Sequence, residues 1–383
     1  MSKIEEANEF IRRLQEQRGA YERFTEDRVT PLFLDNDQGE RRPPRHFKDS
    51  SFLYMRSYDG DNGSRPFSNQ VFWLSPDINV SPVSSSSTYT RTLNVGETYN
   101  ISCILRNRGD LAVPSAKVEL WLTDPSLGFD TRFANHLTLG TVPSAWVSSN
   151  AMAVVNSTYT VPPTDIGHKC LFARAFSFAP LDVPIDDFRL DPTIDRHIAQ
   201  QNLNIVQQGQ PFHFNWIHAP NANQVIQFVP MNRDEVLALR HPILAEASPI
   251  DEFPVEGWTQ MTMVELTETN AEEIEISTEH NSLVVSTRDA DSIDLATLRE
   301  INLKVRQVLT EIHAGETHMA DHRELFAKYR EVNSHVRRSI FKMQVPDLGL
   351  REGQAVGVHI RSIDSINNGT GEVLGGVTLL IVG

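Results

Sequence analysis

Two deficits narrow the classes of protein to which this chain can belong. It has no run of about 18 apolar residues, which a membrane-spanning helix requires, and its 35 Lys and Arg residues are outnumbered by 50 Asp and Glu residues. The net charge of -15 argues against a nucleic-acid-binding surface, because such a surface needs a basic patch. The densest basic cluster, Arg41–Arg45, lies in a turn-rich region and is interpreted as a solvated loop.

Cysteine is scarce, and the N-terminal residues do not form an apolar signal segment. Met1–Glu9 is charged, so we expect a cytoplasmic protein, with release in a particle or by a non-classical route as the alternative. Cys103 and Cys170 are the only cysteines. They form either a disulfide or a pair of buried thiols, and the lack of a signal segment favours thiols.

What the sequence does contain is a succession of strand patterns. Hydrophobic residues make up 40 % of 383 positions, which predicts two or three domains with packed cores. From residue 70 to residue 207, short apolar runs and turns alternate at the spacing of a β-sandwich. Two-residue alternation places Ile101 and Cys103 on one face of a strand, and it places Trp121 opposite Leu120. Residues 152–161 supply a further strand.

The order of these strands is typical of an immunoglobulin-like sandwich: a Cys strand, a Trp strand, a second Cys strand and a closing strand. This part of the chain, about residues 70–207, resembles the CARDB-type immunoglobulin-like modules of bacterial surface and secreted proteins. The resemblance implies a non-catalytic spacer or adhesion unit. The stretches that carry it are Asn107–Gly109, Lys117–Thr123, Gly167–Cys170 and Asn202–Val206.

Residues 208–383 show strand patterns again, interrupted at about 292–338 by helical periodicity. The interruption predicts an antiparallel helical hairpin. We expect its apolar stripe to pack on its own sheet, with docking to a partner as the alternative. Residues 1–69 contain a short N-terminal helix and a turn-rich segment. The predicted fold is mainly β, with two immunoglobulin-like β-sandwich domains, the second of which carries the inserted α-helical hairpin.

Three groups of side chains are candidates for a metal site. Asp59 and Asp61 belong to one of two Asp-x-Asp-x-Gly runs, although neither run has the carboxylate that a calcium loop places at its twelfth position. Asp191 and Asp195 lie in an acidic segment that offers oxygen ligands for calcium. The third group is His318 and His322, which are four residues apart, as zinc ligands on a helix are. Turns and a solvated loop are the alternative interpretations of the two acidic groups, and the histidine pair lacks the general-base glutamate of a zinc-protease helix.

The sequence contains no nucleophile elbow, phosphate-binding glycine loop or paired-cysteine zinc motif. It therefore predicts a non-enzymatic structural or interaction protein that binds protein partners, self-assembly included, as a component of a larger assembly. No cofactor is expected unless calcium binds. One alternative is a calcium-dependent surface or glycan-binding adhesin, based on the acidic runs. The other is an effector or hydrolase with a metal site near His318 and His322.

Overall fold

The structure is a computed structural model that describes the chain from residue 51 onward, with gaps. The described residues are 51–67, 70–84, 93, 95–163, 169–177, 182–218, 224–266, 271–273, 277–279, 282–286, 295–314, 317, 319–333, 337–364 and 373–383. The predicted N-terminal helix and the Asp-x-Asp-x-Gly run at 35–39 lie outside these ranges. Within them, no helix has both the length and the apolar character that crossing a membrane requires.

Ten strands come from the described residues before 202. They are β1 (Leu53–Tyr54), β2 (Ile78–Pro82), β3 (Thr98–Asn107), β4 (Val113–Thr123), β5 (Ser126–Leu127), β6 (Asn135–His136), β7 (Ser144–Val147), β8 (Ala151–Thr160), β9 (Cys170–Phe176) and β10 (Ile198–Gln201). Sheet I has the order β1-β3-β2, with β8 also paired to β3. Sheet II has the order β10-β9-β4-β6, with β7 paired to β4. Nine of these ten strands therefore belong to two sheets.

Sheets I and II pack against each other around one apolar core. Every second side chain of β3 is buried, among them Ile101 and Cys103, and these side chains meet Leu120 from β4 in the same cluster. Trp121 lies on the other face of sheet II, where it packs with Phe172. Both placements confirm the predicted alternation, because successive side chains of a strand point to opposite faces.

The second half of the chain forms two more sheets. Its strands are β11 (Leu203–Gln207), β12 (Pro211–His218), β13 (Gln224–Pro230), β14 (Ser248–Pro249), β15 (Thr262–Leu266), β16 (Ala271–Glu273), β17 (Ser277–Glu279), β18 (Ser282–Ser286), β19 (Arg337–Gln344), β20 (Gln354–Asp364) and β21 (Val373–Val382). Sheet III has the order β11-β21-β20-β13-β18-β17, with β14 paired to β20. Sheet IV has the order β16-β15-β19-β12-β5. Both sheets contribute to one core, which includes Phe214 and Phe341 from sheet IV and Phe228 and Leu379 from sheet III. The mainly β fold class is confirmed.

Two expected boundaries of the first sandwich differ from the structure. Leu53–Tyr54 pairs antiparallel with β3, so sheet I includes residues before 70. The closing strand expected at 202–206 belongs instead to sheet III, where Leu203 pairs with Thr378 of β21 in a parallel ladder. Sheet II is closed by β10. A parallel ladder between segments so far apart depends on the whole fold, so the local strand pattern could not assign the closing strand correctly.

Contacts between the two halves of the chain join them into one packed unit. β5 precedes sheet III in sequence but pairs in parallel with β12 of sheet IV. Trp73 is buried and donates a hydrogen bond from Nε1 to Thr378 Oγ1 at 2.9 Å. Its indole ring lies against Gly376, where the Cβ of any other residue would collide with the ring. Position 376 therefore requires glycine, and β21 is tied to the first half of the chain.

The α-helices of the described residues all lie in the second half of the chain: α1 (Arg233–Ala238), α2 (Val255–Trp258), α3 (Leu295–Ala314) and α4 (Arg323–Asn333). α3 and α4 occupy the region predicted to be helical, and they contact each other. Their buried apolar side chains pack against Ile185 and Ile194 from the first half of the chain. Among the described residues, the cluster contains none that belongs to a strand. The two isoleucines supply the apolar surface where the stripe was expected to meet its own sheet.

Candidate interaction surface

The acidic segment, residues 182–197, contains charged side chains that bind one another inside the protein. Asp195 is buried, and its Oδ1 lies 2.7 Å from His197 Nδ1. Its Oδ2 accepts the backbone N–H of Ile185 at 2.8 Å. Burial by itself would raise the pKa of this carboxyl, but His197 and the N–H donors outweigh burial and lower the pKa to about 2. Asp195 is therefore an ionised group whose oxygens already have partners.

Asp182 is the second buried carboxylate of the acidic segment. Its Oδ1 accepts the backbone N–H of Leu53 at 2.7 Å and lies 3.6 Å from Arg196 Nη2. His197 Nε2 lies 3.8 Å from the same oxygen. Burial opposes ionisation, yet His197 and Arg196 stabilise the charged form, and the pKa of Asp182 is lowered. The carboxylate ties β1 to the acidic segment.

The other side of the acidic segment holds the two long helices. Arg330 of α4 donates from Nη1 to the carbonyl oxygen of Ile185 at 3.2 Å. Arg306 of α3 donates from Nη2 to Thr193 Oγ1 at 3.5 Å. Burial raises the pKa of Tyr329 on α4, which keeps its phenol neutral inside this contact. The segment thus contacts both the first sandwich and the helices, and its charged side chains stabilise the packing between them.

The remaining acidic metal candidates also have partners within the molecule or are exposed. Asp61 and Arg65 form a two-pronged pair in which both N–O distances are 3.0 Å. Asp59, two residues earlier, is exposed. Asp191 Oδ1 accepts the backbone N–H and the hydroxyl of Thr193 at 2.9 and 2.6 Å. Across the described ranges, no three His, Cys, Asp or Glu side chains form a group that could hold a metal ion.

Only one histidine of the predicted pair can be placed. His322 Nε2 lies 2.8 Å from Thr317 Oγ1, close to the start of α4. His318 lies outside the described residues. The structure therefore shows a hydroxyl partner for His322, and a ligand shared by the two histidines stays a prediction.

The two cysteines are free, buried thiols. Cys103 lies in the core between sheets I and II, whereas Cys170 lies on the outer face of sheet II with Trp121 and Phe172. Because the side chains point into different clusters, they do not form a disulfide. Burial raises the pKa of Cys103 to about 12 and also raises that of Cys170. Neither thiol is a reactive nucleophile at neutral pH, since the thiolate is the reactive form.

A small cavity lies where the acidic segment meets sheets III and IV. It measures about 10 Å³, and Arg189, Asp191 and Gln224 are among its lining residues. Gln224 Oε1 is buried there, and no hydrogen-bond donor among the described residues reaches it. A cavity of this size accommodates about one water molecule. It is too small to hold a substrate.

The edge of sheet I is different, because no backbone group of the described residues bonds to the outward-directed N–H and C=O groups of β8. This ten-residue strand contains no charged residue, proline or glycine. Met152 and Val154 are 64 % and 54 % exposed. The even-numbered residues that follow them, up to Thr160, lie on the same solvent-facing side of the strand by alternation. Val155, on the opposite side, is buried in the core.

The hydrogen bonds of β3 show which backbone groups of β8 are free. Ile104 of β3 donates its N–H to the carbonyl of Asp77 at 2.9 Å, on the side away from β8. In the β3–β8 register, even-numbered residues lie opposite even-numbered residues, as Thr98 lies opposite Thr160, and odd opposite odd. Neighbouring residues of a strand direct their backbone groups to opposite sides. Because Ile104 bonds away from β8, the odd-numbered residues make the hydrogen bonds between β3 and β8. The even-numbered N–H and C=O groups of residues 152–160 point outward, and no backbone group in the described part of the chain bonds to them.

Other strands at the sheet edges are protected from pairing with a further strand. As far as the structure describes them, β2, β10, β11, β16 and β17 are three to five residues long. The outer edge of β10 is partly occupied, because the N–H of Ser75 donates a hydrogen bond to the carbonyl oxygen of Gln200 at 2.9 Å. β16 carries Glu272 and Glu273. Shortness, covering and charge are the usual protections of an edge strand, and β8 has none of them.

Comparisons with known proteins give weak similarities only. No family model matches the chain, and no curated protein matches it. A CARDB domain from Pyrococcus furiosus, solved with di-metal ions, is 12 % identical and has a TM-score of 0.22; the similarity covers 38 % of this chain and 96 % of that domain. The MSCRAMM ACE of Enterococcus faecalis, described as binding its ligands by the collagen hug model, is 8 % identical and has a TM-score of 0.20. The similarity covers 80 % of this chain and 95 % of that chain.

A third similar structure is the alkylpurine DNA glycosylase AlkC of Pseudomonas fluorescens, bound to DNA with an abasic site analogue. It is 12 % identical over 32 % of this chain and 28 % of that chain, with a TM-score of 0.19. Similarities at these TM-scores assign neither a fold nor a function to the chain. Any function must therefore be inferred from the chain's own residues.

Proposed function

We propose that this chain is a non-enzymatic interaction protein that binds an extended strand of a protein partner along β8. The observation that carries the proposal is an uncharged ten-residue edge strand whose even-numbered backbone groups have no backbone partner among the described residues. In strand addition, main-chain hydrogen bonds supply affinity, and alternate side chains supply specificity. Exposed Met152 and Val154 supply apolar contact at one end of the strand.

Within this proposal, sheets I and II form an immunoglobulin-like sandwich of the CARDB type, and sheets III and IV form a second sandwich that carries α3 and α4. The contacts of Trp73 and of the acidic segment support such a role because they hold the first sandwich against the rest of the molecule. A strand held in its bound conformation loses less conformational entropy when a partner binds. The fold therefore prepares β8 for pairing.

The calcium-dependent adhesin and metal-dependent hydrolase alternatives have less support. The carboxylates of Asp61 and Asp195 already bind Arg65 and His197. A calcium titration separates the adhesin from the interaction protein, because a ligand that binds the native state raises its Tm. We expect no rise in Tm with calcium.

The proposed function is tested by capturing partners from the native cells with three forms of the tagged full chain: wild type, Val154→Lys and Val255→Lys. A lysine on an edge strand opposes pairing with another strand. Val255 at the start of α2 is the matched control, since it is 49 % exposed and Val154 is 54 % exposed. We expect wild type and Val255→Lys to recover the same partner in a fixed ratio. Val154→Lys should recover about a tenth as much or less.

Circular dichroism of all three proteins shows that they are folded before the capture is compared. Equal recovery by Val154→Lys and Val255→Lys would contradict binding along β8. Recovery that both lysine variants reduce equally would also contradict it, because the loss would then follow from added charge anywhere on the surface.

A further inference from the structure

We infer that the strand that binds β8 is the β8 strand of a second copy of this chain, related to the first by a two-fold axis through Asn156. The inference rests on the proposed function and names its partner. A two-fold interface uses the same surface on both subunits. An edge strand satisfies this requirement by pairing antiparallel with itself.

The register follows from the free backbone groups of β8. With Asn156 opposite its own copy, Val154 lies opposite Thr158, and Met152 lies opposite Thr160. All five outward-directed residues then face one another, so each free N–H and C=O from 152 to 160 meets a partner. A shift by two residues leaves one end of each strand unpaired. The symmetric register is therefore the one that uses the whole edge.

The side chains along this edge are compatible with self-pairing. Like charges directly opposite each other destabilise a pair of strands, but none of the paired positions carries a charge. The solvent face is also held in place: Ser102 donates to Asn156 Oδ1 at 2.6 Å, and the hydroxyls of Thr98 and Thr160 lie 2.8 Å apart. Two copies thus meet with ordered, neutral surfaces.

Charged side chains on the same sheet do not oppose the approach of a second copy. Arg56 and Arg106 share the buried carboxylate of Asp77, with distances of 2.8 Å from Arg56 Nη2 and 2.9 Å from Arg106 Nε. Asp59 Oδ1 also lies 3.7 Å from Arg56 Nη1, so the two arginines lie beside two carboxylates. Charges elsewhere that lie more than about 8 Å away are largely screened at physiological salt.

The test uses a charge exchange at the residue that faces itself. Asn156→Lys places two lysines opposite each other across the two-fold axis, and Asn156→Asp places two aspartates there. We expect wild type to sediment as a dimer and each variant alone to dissociate about tenfold more readily or worse. An equal mixture of the two variants should restore the dimer, because lysine then faces aspartate. Native mass spectrometry identifies the mixed dimer by its mass.

Asn156→Ser is the control for loss of the Asn156 side chain, and it should remain a dimer. Matching melting curves show that the variants fold. A wild type that stays monomeric up to high concentration, or a mixture that associates no better than its components, would overturn the two-fold pairing. If wild type is monomeric while Val154→Lys still abolishes capture of a different protein, the self-pairing fails and the proposed function stands.

Discussion

In the acidic segment, residues 182–197, buried polar groups bind one another. Along β8, the even-numbered backbone groups are directed outward and have no backbone partner among the described residues. Asp182 accepts a backbone N–H and lies near Arg196, and Asp195 accepts a backbone N–H and contacts the imidazole of His197. The even-numbered backbone groups of β8 have no such partner in the described part of the chain. One region therefore holds the fold together, whereas the other is available for binding.

The contrast shows that charge density is a poor guide to a binding surface in this protein. The acidic segment is conspicuous in the sequence because of its carboxylates, but the buried carboxylates of Asp182 and Asp195 already have partners. β8 has no charged residue, yet it has the hydrogen-bonding capacity that a partner can use. What distinguishes the two regions is whether their polar groups already have partners.

The largest effect is expected from removing a charge inside the acidic segment. Asp195→Ala leaves His197 and the N–H of Ile185 buried without their acceptor, so we expect the free energy of unfolding to fall by about 3–5 kcal/mol. Asp187→Ala is the matched control, because Asp187 lies in the same segment but is exposed; its effect should stay within about 0.5 kcal/mol. Urea denaturation measures both. Equal, small effects would show that the segment is a solvated loop after all.

A smaller effect is expected from acid. The pKa of Asp195 is near 3.8 in the unfolded chain and about 2 in the folded one. Between these values the unfolded chain binds more protons, so stability falls as pH falls, by about 2 kcal/mol for this group. The lowered pKa of Asp182 also makes stability fall as pH falls. Urea denaturation at pH 5, 4 and 3 measures the slope, and Asp195→Asn should flatten it. An unchanged slope in the variant would assign the acid sensitivity to other groups.

The smallest effect is expected at the edge of β8. Val154→Lys changes an exposed side chain and leaves the β3–β8 ladder intact, so the free energy of unfolding should change by less than about 0.5 kcal/mol. The same urea titration measures the free energy of unfolding of Val154→Lys and of Asp195→Ala, so the two losses of stability can be compared directly. A large loss of stability in Val154→Lys would mean that the edge of β8 is covered within the monomer.

Much of the local structure was predictable, because it depends on the spacing of apolar residues. Two-residue alternation predicted the inward faces of β3 and β4, and it placed Trp121 on the outer face of sheet II. The strand expected at 152–161 corresponds to β8. Helical periodicity predicted the position of α3 and α4. These features need only neighbouring residues.

Long-range partnerships were not predictable in the same way. The segment at 202–206 has a strand pattern whichever sheet it joins, and only the complete fold pairs Leu203 with Thr378. Nothing in the local pattern shows that Ile185 and Ile194 receive the helices. Likewise, the sequence predicted a strand at β8 but not that one of its sides has no neighbour. The binding edge is a property of sheet order, and sheet order is set by the whole chain.

Hydrogen exchange along β8, in the free and the bound protein, tests the central claim most directly. In the free protein, amides of residues 152, 154, 156 and 158 should exchange fast, because they point to solvent, while those of 153, 155 and 157 should be protected by β3. When the protein binds a captured partner, or a second copy at high concentration, the even-numbered amides should exchange more slowly. The difference between even- and odd-numbered amides should then disappear. Even-numbered amides that exchange at the same rate in both states would contradict binding along β8.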